Sequence, residues 1–65
     1  DIYSIGSIWY TLLCNQPPAG SNFMNLLSDQ GVNRNVLEII EKCLNPIENR
    51  YNDCNELLKD IEKCS

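Results

Sequence analysis

DIYSIGSIWYTLLCNQPP, from Asp1 to Pro18, decides the fold. The apolar residues Ile5, Trp9, Leu12 and Leu13 recur with helical spacing, and Ile2 and Ile8 widen their stripe, so a helix is expected from about Ile2 to Cys14. Asn15 tolerates the left-handed backbone that ends many helices, and Pro17 cannot continue one. No side chain from Ile2 to Ser28 is charged. Asn15, Gln16 and the two prolines nevertheless interrupt the apolar run after about a dozen residues, whereas a membrane-spanning helix needs about 20. An uncharged helix of this length is expected to be buried on every side inside a protein core. Gly6 in its interior costs about 1 kcal/mol relative to alanine. Close approach of another backbone would offset that, and a phosphate cradle would need several glycines in a loop ahead of a helix.

Moving outward, a short helix is expected over about Asn22 to Asp29, carrying Phe23, Met24, Leu26 and Leu27 and ending before Gly31. A third, about Arg34 to Leu44, places Val36, Ile40, Cys43 and Leu44 on one face and leaves Glu38, Glu41 and Lys42 to solvent. Its cap is either Asn33 or Asn35 paired with Glu38. Pro46 imposes a loop. A fourth helix starts at Asp53, which forms a D-x-x-E capping box with Glu56; Cys54, Leu57, Leu58 and Ile61 then share a face opposite Lys59, Asp60, Glu62 and Lys63. No strand, internal repeat or dividing linker is found. The expected fold is all-α, a small orthogonal helical bundle of three longer helices plus one short one, spanning residues 1–65 as one piece.

Sixty-five residues bury too small a share of their surface to fold with much margin. Five basic against nine acidic side chains give a net charge of −4, which argues against binding nucleic acid through its phosphates. Cys14, Cys43, Cys54 and Cys64 fall on or beside predicted apolar stripes, where a free thiol acts as a small hydrophobe, so reduced core cysteines are expected rather than a disulfide scaffold. Without a CxxC pair or a histidine, a four-ligand zinc set is not available. No basic start or cleavage site suggests a signal peptide, and a cytoplasmic chain without membrane association is expected.

Catalysis finds little to work with. The absence of histidine excludes His-dependent triads and the usual proton carrier near neutral pH. The paired acids Glu38 with Glu41 and Asp60 with Glu62 read as solvated helix faces, and the serines and cysteines have no adjacent base. No catalytic, cofactor-binding or metal-binding residue is assigned.

Four blocks in order carry a family resemblance: D-I-Y-S-I-G at Asp1 to Gly6, L-L-C-N-Q-P-P at Leu12 to Pro18, K-C-L-N-P-I-E-N-R-Y at Lys42 to Tyr51, and N-E-L-L-K-D-I-E at Asn55 to Glu62. Together they cover nearly the whole chain, and it resembles the C-terminal part of the C-lobe of a serine/threonine protein kinase of the bacterial type. The resemblance implies that the helices correspond to helices F to I. Asp1 then opens helix F and hydrogen-bonds backbone amides of the catalytic loop. Tyr3 takes an aromatic position, Gly6 is the glycine of a D-x-W-S-x-G pattern, and Trp9 is a structural residue of the same helix. Arg50 pairs with the glutamate of an A-P-E motif.

The implied function is structural: to organise the catalytic loop and activation segment of a parent that transfers phosphate from ATP to Ser or Thr. ATP and Mg2+ belong to the parent, because the glycine-rich loop, the ATP-positioning lysine, H-R-D and D-F-G all lie upstream of Asp1 in such a domain. The implied partner is the remainder of the kinase domain, with self-association when that is missing. The short stretch between Pro18 and Arg34 implies a short or degenerate helix G and leaves a pseudokinase parent open. The alternative is a free-standing helical interaction or dimerisation module whose apolar stripe binds another helix.

Overall fold

Asp1 begins the first helix by turning its carboxylate onto it: Oδ1 accepts the backbone N–H of Ser4 at 2.8 Å. This satisfies one of the donors a helix start leaves open. In the computed structural model, which describes residues 1–64, the helix α1 then runs over Ile2–Cys14. It stops at Asn15, which adopts the left-handed conformation at φ 62° and donates its N–H to the Thr11 carbonyl at 2.8 Å. The short α2 follows over Phe23–Asp29, with the N–H of Gly31, at φ 73°, closing onto the Ser28 carbonyl. A positive φ is accessible to glycine without penalty, so Gly31 ends α2 cleanly.

Helix α3 spans Arg34–Leu44. Of the two possible caps, Asn33 serves, its side chain accepting from Asn35 N at 2.8 Å. Pro46 opens a single 3-10 turn, Ile47–Asn49, where only a loop is expected from sequence. Helix α4, Cys54–Lys63, is capped by Asp53, whose Oδ1 accepts from Glu56 N at 3.0 Å. Glu56 reaches back one residue further than a capping box requires: its carboxylate accepts from the backbone N–H of Asn52 at 3.0 Å and from the Asn52 amide at 3.2 Å. The described residues are all helix, turn and loop, so the class is all-α.

The helices pack together rather than trail. The Cα radius of gyration is 11.1 Å, close to the roughly 10.7 Å expected of a compact chain this long. α1 lies chiefly against α3, and the core divides into two clusters. Ile2, Ile39, Cys43, Tyr51 and Leu57 form one; Tyr10, Leu27 and Ile40 form the other, with Phe23, Met24, Val36 and Leu44 packed around it. Each large apolar side chain fully buried this way contributes about 1.5–3 kcal/mol. Trp9 touches both clusters.

The packing corrects several sequence expectations. α1 buries Ile2, Gly6 and Tyr10, not the stripe of Ile5, Trp9, Leu12 and Leu13; Ile5, Ile8, Leu12 and Leu13 are exposed, and Trp9 is half-buried. The reason is Gly6. Having no β-carbon, it lets α3 approach, and residues one turn and a little more away on either side, Ile2 and Tyr10, fall on the same contact line. α1 is therefore covered on one face within this chain, not on every side. α3 buries Ile39 as well as Ile40 and Cys43. On α4 only Leu57 is buried, while Cys54, Leu58 and Ile61 remain exposed. All four cysteines are free, but Cys43 alone is a core residue; Cys14 is half-buried, and Cys54 and Cys64 face solvent. Among the described residues no helix is long and apolar enough to cross a membrane.

Candidate functional site

The residues singled out from the sequence gather around α1. Gly6 is pressed against α3: a β-carbon built on it would lie 2.5 Å from Cys43 Cβ and 3.3 Å from Leu44 Cδ2. Close backbone packing is thus what this glycine serves. Trp9 sits one turn along, between the two clusters. Asp1 is the N-cap already described.

Arg50 comes from the far side of the 3-10 turn to the same end of α1. Its Nε donates to the Asn45 carbonyl at 2.9 Å, and its guanidinium stands 5.2 Å from the centre of the Tyr3 ring. A cation over an aromatic face is attracted by the ring quadrupole, and the flat guanidinium suits the geometry. The backbone bond and the ring fix the side chain, and among the described residues no carboxylate lies within ion-pair distance of it. Arg50 also lies near the buried Cys43. Burial pushes that thiol up to about 11, and the positive charge of Arg50 works against the shift.

Beyond these residues α1 presents a bare apolar face. Ile5, Ile8 and Leu12 lie at successive helical turns on the side away from α3, and Leu12 is 79% exposed. The helix has no charged residue to keep that face wet; Thr11 turns its hydroxyl inward onto the Ser7 carbonyl at 2.7 Å. Scattered exposed hydrophobes are ordinary, but an aligned stripe on a helix without charge marks a surface that other protein or a ligand can cover.

Two residues that hold the fold together were not singled out from sequence. The phenol of Tyr10, fully buried, donates to the Phe23 carbonyl at 2.6 Å, and its ring meets that of Phe23 at a centroid distance of 5.9 Å, tilted by 58°. Tyr51 is buried with its hydroxyl donated to Asp60 Oδ2 at 2.7 Å, and Lys42 Nζ stands 4.5 Å over its ring. Burial and the neighbouring carboxylate push the Tyr51 phenol well above its ordinary range. Asp60 is correspondingly held below the usual aspartate value, chiefly by that hydroxyl. Asp60 is therefore not a plain solvated acid, in contrast with Glu38 and Glu41, which are exposed as expected. A tyrosine at a helical position reads as amphipathic; nothing in the sequence says which carbonyl or carboxylate its hydroxyl will find.

A shallow groove of about 310 Å3 runs between α3 and α4 past Ile39, Tyr51 and Asp60. Its rim mixes Glu38 and Asp60 with Lys42 and Lys63, so it selects no ligand charge. Among the described residues no group of acidic or cysteine side chains is arranged to hold a metal ion. The chain matches no family model, no curated protein and no solved structure.

Proposed function

We propose that these helices are the closing helices, F to I, of the C-lobe of a serine/threonine protein kinase, and that their role is to scaffold a catalytic centre contributed by other residues. In this reading α1 is helix F, α2 is a helix G reduced to seven residues, α3 is helix H and α4 is helix I. The ordered sequence blocks support the family reading; the observation that carries the functional reading is Arg50. It is held against Tyr3 at the start of α1 with its guanidinium unclaimed by any described carboxylate, as a residue waiting for the glutamate of an A-P-E motif would be. The bare stripe of Ile5, Ile8 and Leu12 adds support, since a helix F is enclosed by its own lobe.

The role of each residue follows. Asp1 starts helix F and offers its carboxylate to catalytic-loop amides in addition to Ser4; Gly6 sets the distance between helices F and H; Trp9 joins the two packing clusters; Arg50 anchors the end of the activation segment. ATP and Mg2+ would be bound by the parent's residues, none of them among these. The parent is expected in the cytoplasm.

The test is the coding sequence ahead of Asp1. H-R-D, D-F-G and A-P-E motifs in that order are expected within the roughly 200 residues upstream of a kinase domain's last helices. A reading frame that opens immediately before Asp1 sinks the proposal and favours the second reading, a free-standing helical module whose Ile5, Ile8 and Leu12 face binds another helix. Where the motifs are present, Arg50→Ala in the whole domain should lower phosphate transfer to Ser or Thr peptides, and the 65-residue chain alone should transfer none.

A further inference from the structure

Helix α4 is fastened more lightly than its amphipathic pattern implies. Leu57 is its one buried residue, and Leu58 and Ile61 beside it stay exposed. Leu57 enters the cluster of Ile2, Ile39, Cys43 and Tyr51, but the second cluster, around Tyr10, Leu27 and Ile40, takes nothing from α4. α1, α2 and α3 can therefore keep a core of their own.

A further attachment is polar, with the charge of Lys42 on α3 also acting on Asp60. Tyr51 precedes α4 and belongs with α3: its ring lies in the cluster with Ile39 and Cys43, under Lys42 Nζ. Its hydroxyl reaches across to Asp60 on the second turn of α4 at 2.7 Å. Asp60 is in turn 3.7 Å from Lys63 on its own helix, which steadies the carboxylate without tying α4 to anything else.

We propose that α4 is a separately opening unit latched by the Tyr51–Asp60 hydrogen bond, and that breaking this bond frees α4 while α1 to α3 remain folded. Local opening is easiest where few apolar side chains are buried, and α4 buries one. Opening withdraws Leu57 from Ile2, Ile39, Cys43 and Tyr51. The inference uses only the contacts α4 makes with the rest of this chain and stands apart from the kinase reading.

Amide hydrogen exchange followed by mass spectrometry on the whole chain tests it, with Tyr51→Phe, Asp60→Ala and the double variant. In the unaltered chain, α4 amides are expected to exchange at least about tenfold faster than those inside α1 and α3, after correction for intrinsic rates. Each single variant should speed α4 several-fold and leave α1 and α3 within about twofold. The double variant should be no faster than the quicker single one, because either change already removes the bond. Equal exchange in all helices overturns the proposal, whether the chain opens as one unit or does not hold its fold. Variants that speed every helix alike, or a double variant whose effect is the product of the singles, overturn it as well.

Discussion

Gly6 and Cys43 meet where α1 lies on α3 with no room for a methyl group: a β-carbon at position 6 would stand 2.5 Å from the Cys43 Cβ. Alanine would favour the helix by about 1 kcal/mol. The obstructing atom is itself a β-carbon, fixed to backbone, so it cannot swing aside, and overpacking of this kind costs about 1–3 kcal/mol. Gly6→Ala is therefore expected to lower stability. A denaturation midpoint that rises would show that α1 and α3 are not in this contact.

Tyr10→Phe keeps the ring in its cluster but removes the donor to the Phe23 carbonyl. The loss should be about 1 kcal/mol, the usual net worth of such a bond. It should loosen α2 first, because that bond joins α2 to α1. Chemical shifts or exchange rates in Phe23–Asp29 identical to those of the unaltered chain would contradict it.

Cys43 should resist alkylation. It is fully buried and its thiol is pushed up to about 11, so at pH 8 it is inaccessible and almost wholly protonated. Iodoacetamide on the native chain should modify the exposed Cys54 and Cys64 and spare Cys43 until denaturant is added, as peptide mass spectrometry can read. Early labelling of Cys43 would mean that the cluster it shares with Ile2 and Leu57 opens readily.

The docking of α4 should weaken in acid. Asp60 is held below its ordinary value by the Tyr51 hydroxyl first, then by Lys63 and Lys42, with burial opposing. A carboxyl group whose folded value is depressed stabilises above its unfolded value, about 3.9 for aspartate, and that contribution fades as pH falls through the folded value. Protection of α4 amides should be steady from neutral pH to about 4 and decline below it. Asp60→Asn should lose that part of the decline; an unchanged acid profile in this variant would remove Asp60 from the account.

Ile8→Lys and Leu12→Lys separate the bare face from the core. Both side chains are exposed in this chain, so its stability should change by no more than about 0.5 kcal/mol, and light scattering should show less association. Within a complete kinase domain the same substitutions should be severely disruptive, because a charge would then be buried without a partner. Tolerance in both settings would argue against α1 as helix F.

The order of the helices was legible in the sequence because it depends on local chemistry. Asn15 and Pro17 end α1, Asp53 caps α4, and the apolar spacing marks α3, each signal lying in or beside the helix it defines. Which face each helix buries was less legible. Six large apolar residues crowd α1, and composition favours the stripe of Ile5 and Leu12; the contact instead follows the smallest residue, Gly6, because closeness of backbones outweighs the size of side chains. On α4 the periodic pattern promised a buried face of four, yet Leu57 alone of these is buried, and Tyr51 bonds Asp60 on the other side of the helix pattern. Such pairings join residues through the folded arrangement and leave no trace in spacing along the chain.

Trp9, the chain's one tryptophan, borders both clusters. Its indole is thus a single optical witness to two neighbouring rooms, and its emission will shift when either wall gives way. A fluorescence melt consequently times the earlier of two possible failures, and only a probe confined to one cluster, such as the Tyr10–Phe23 ring pair, can say which of them it was.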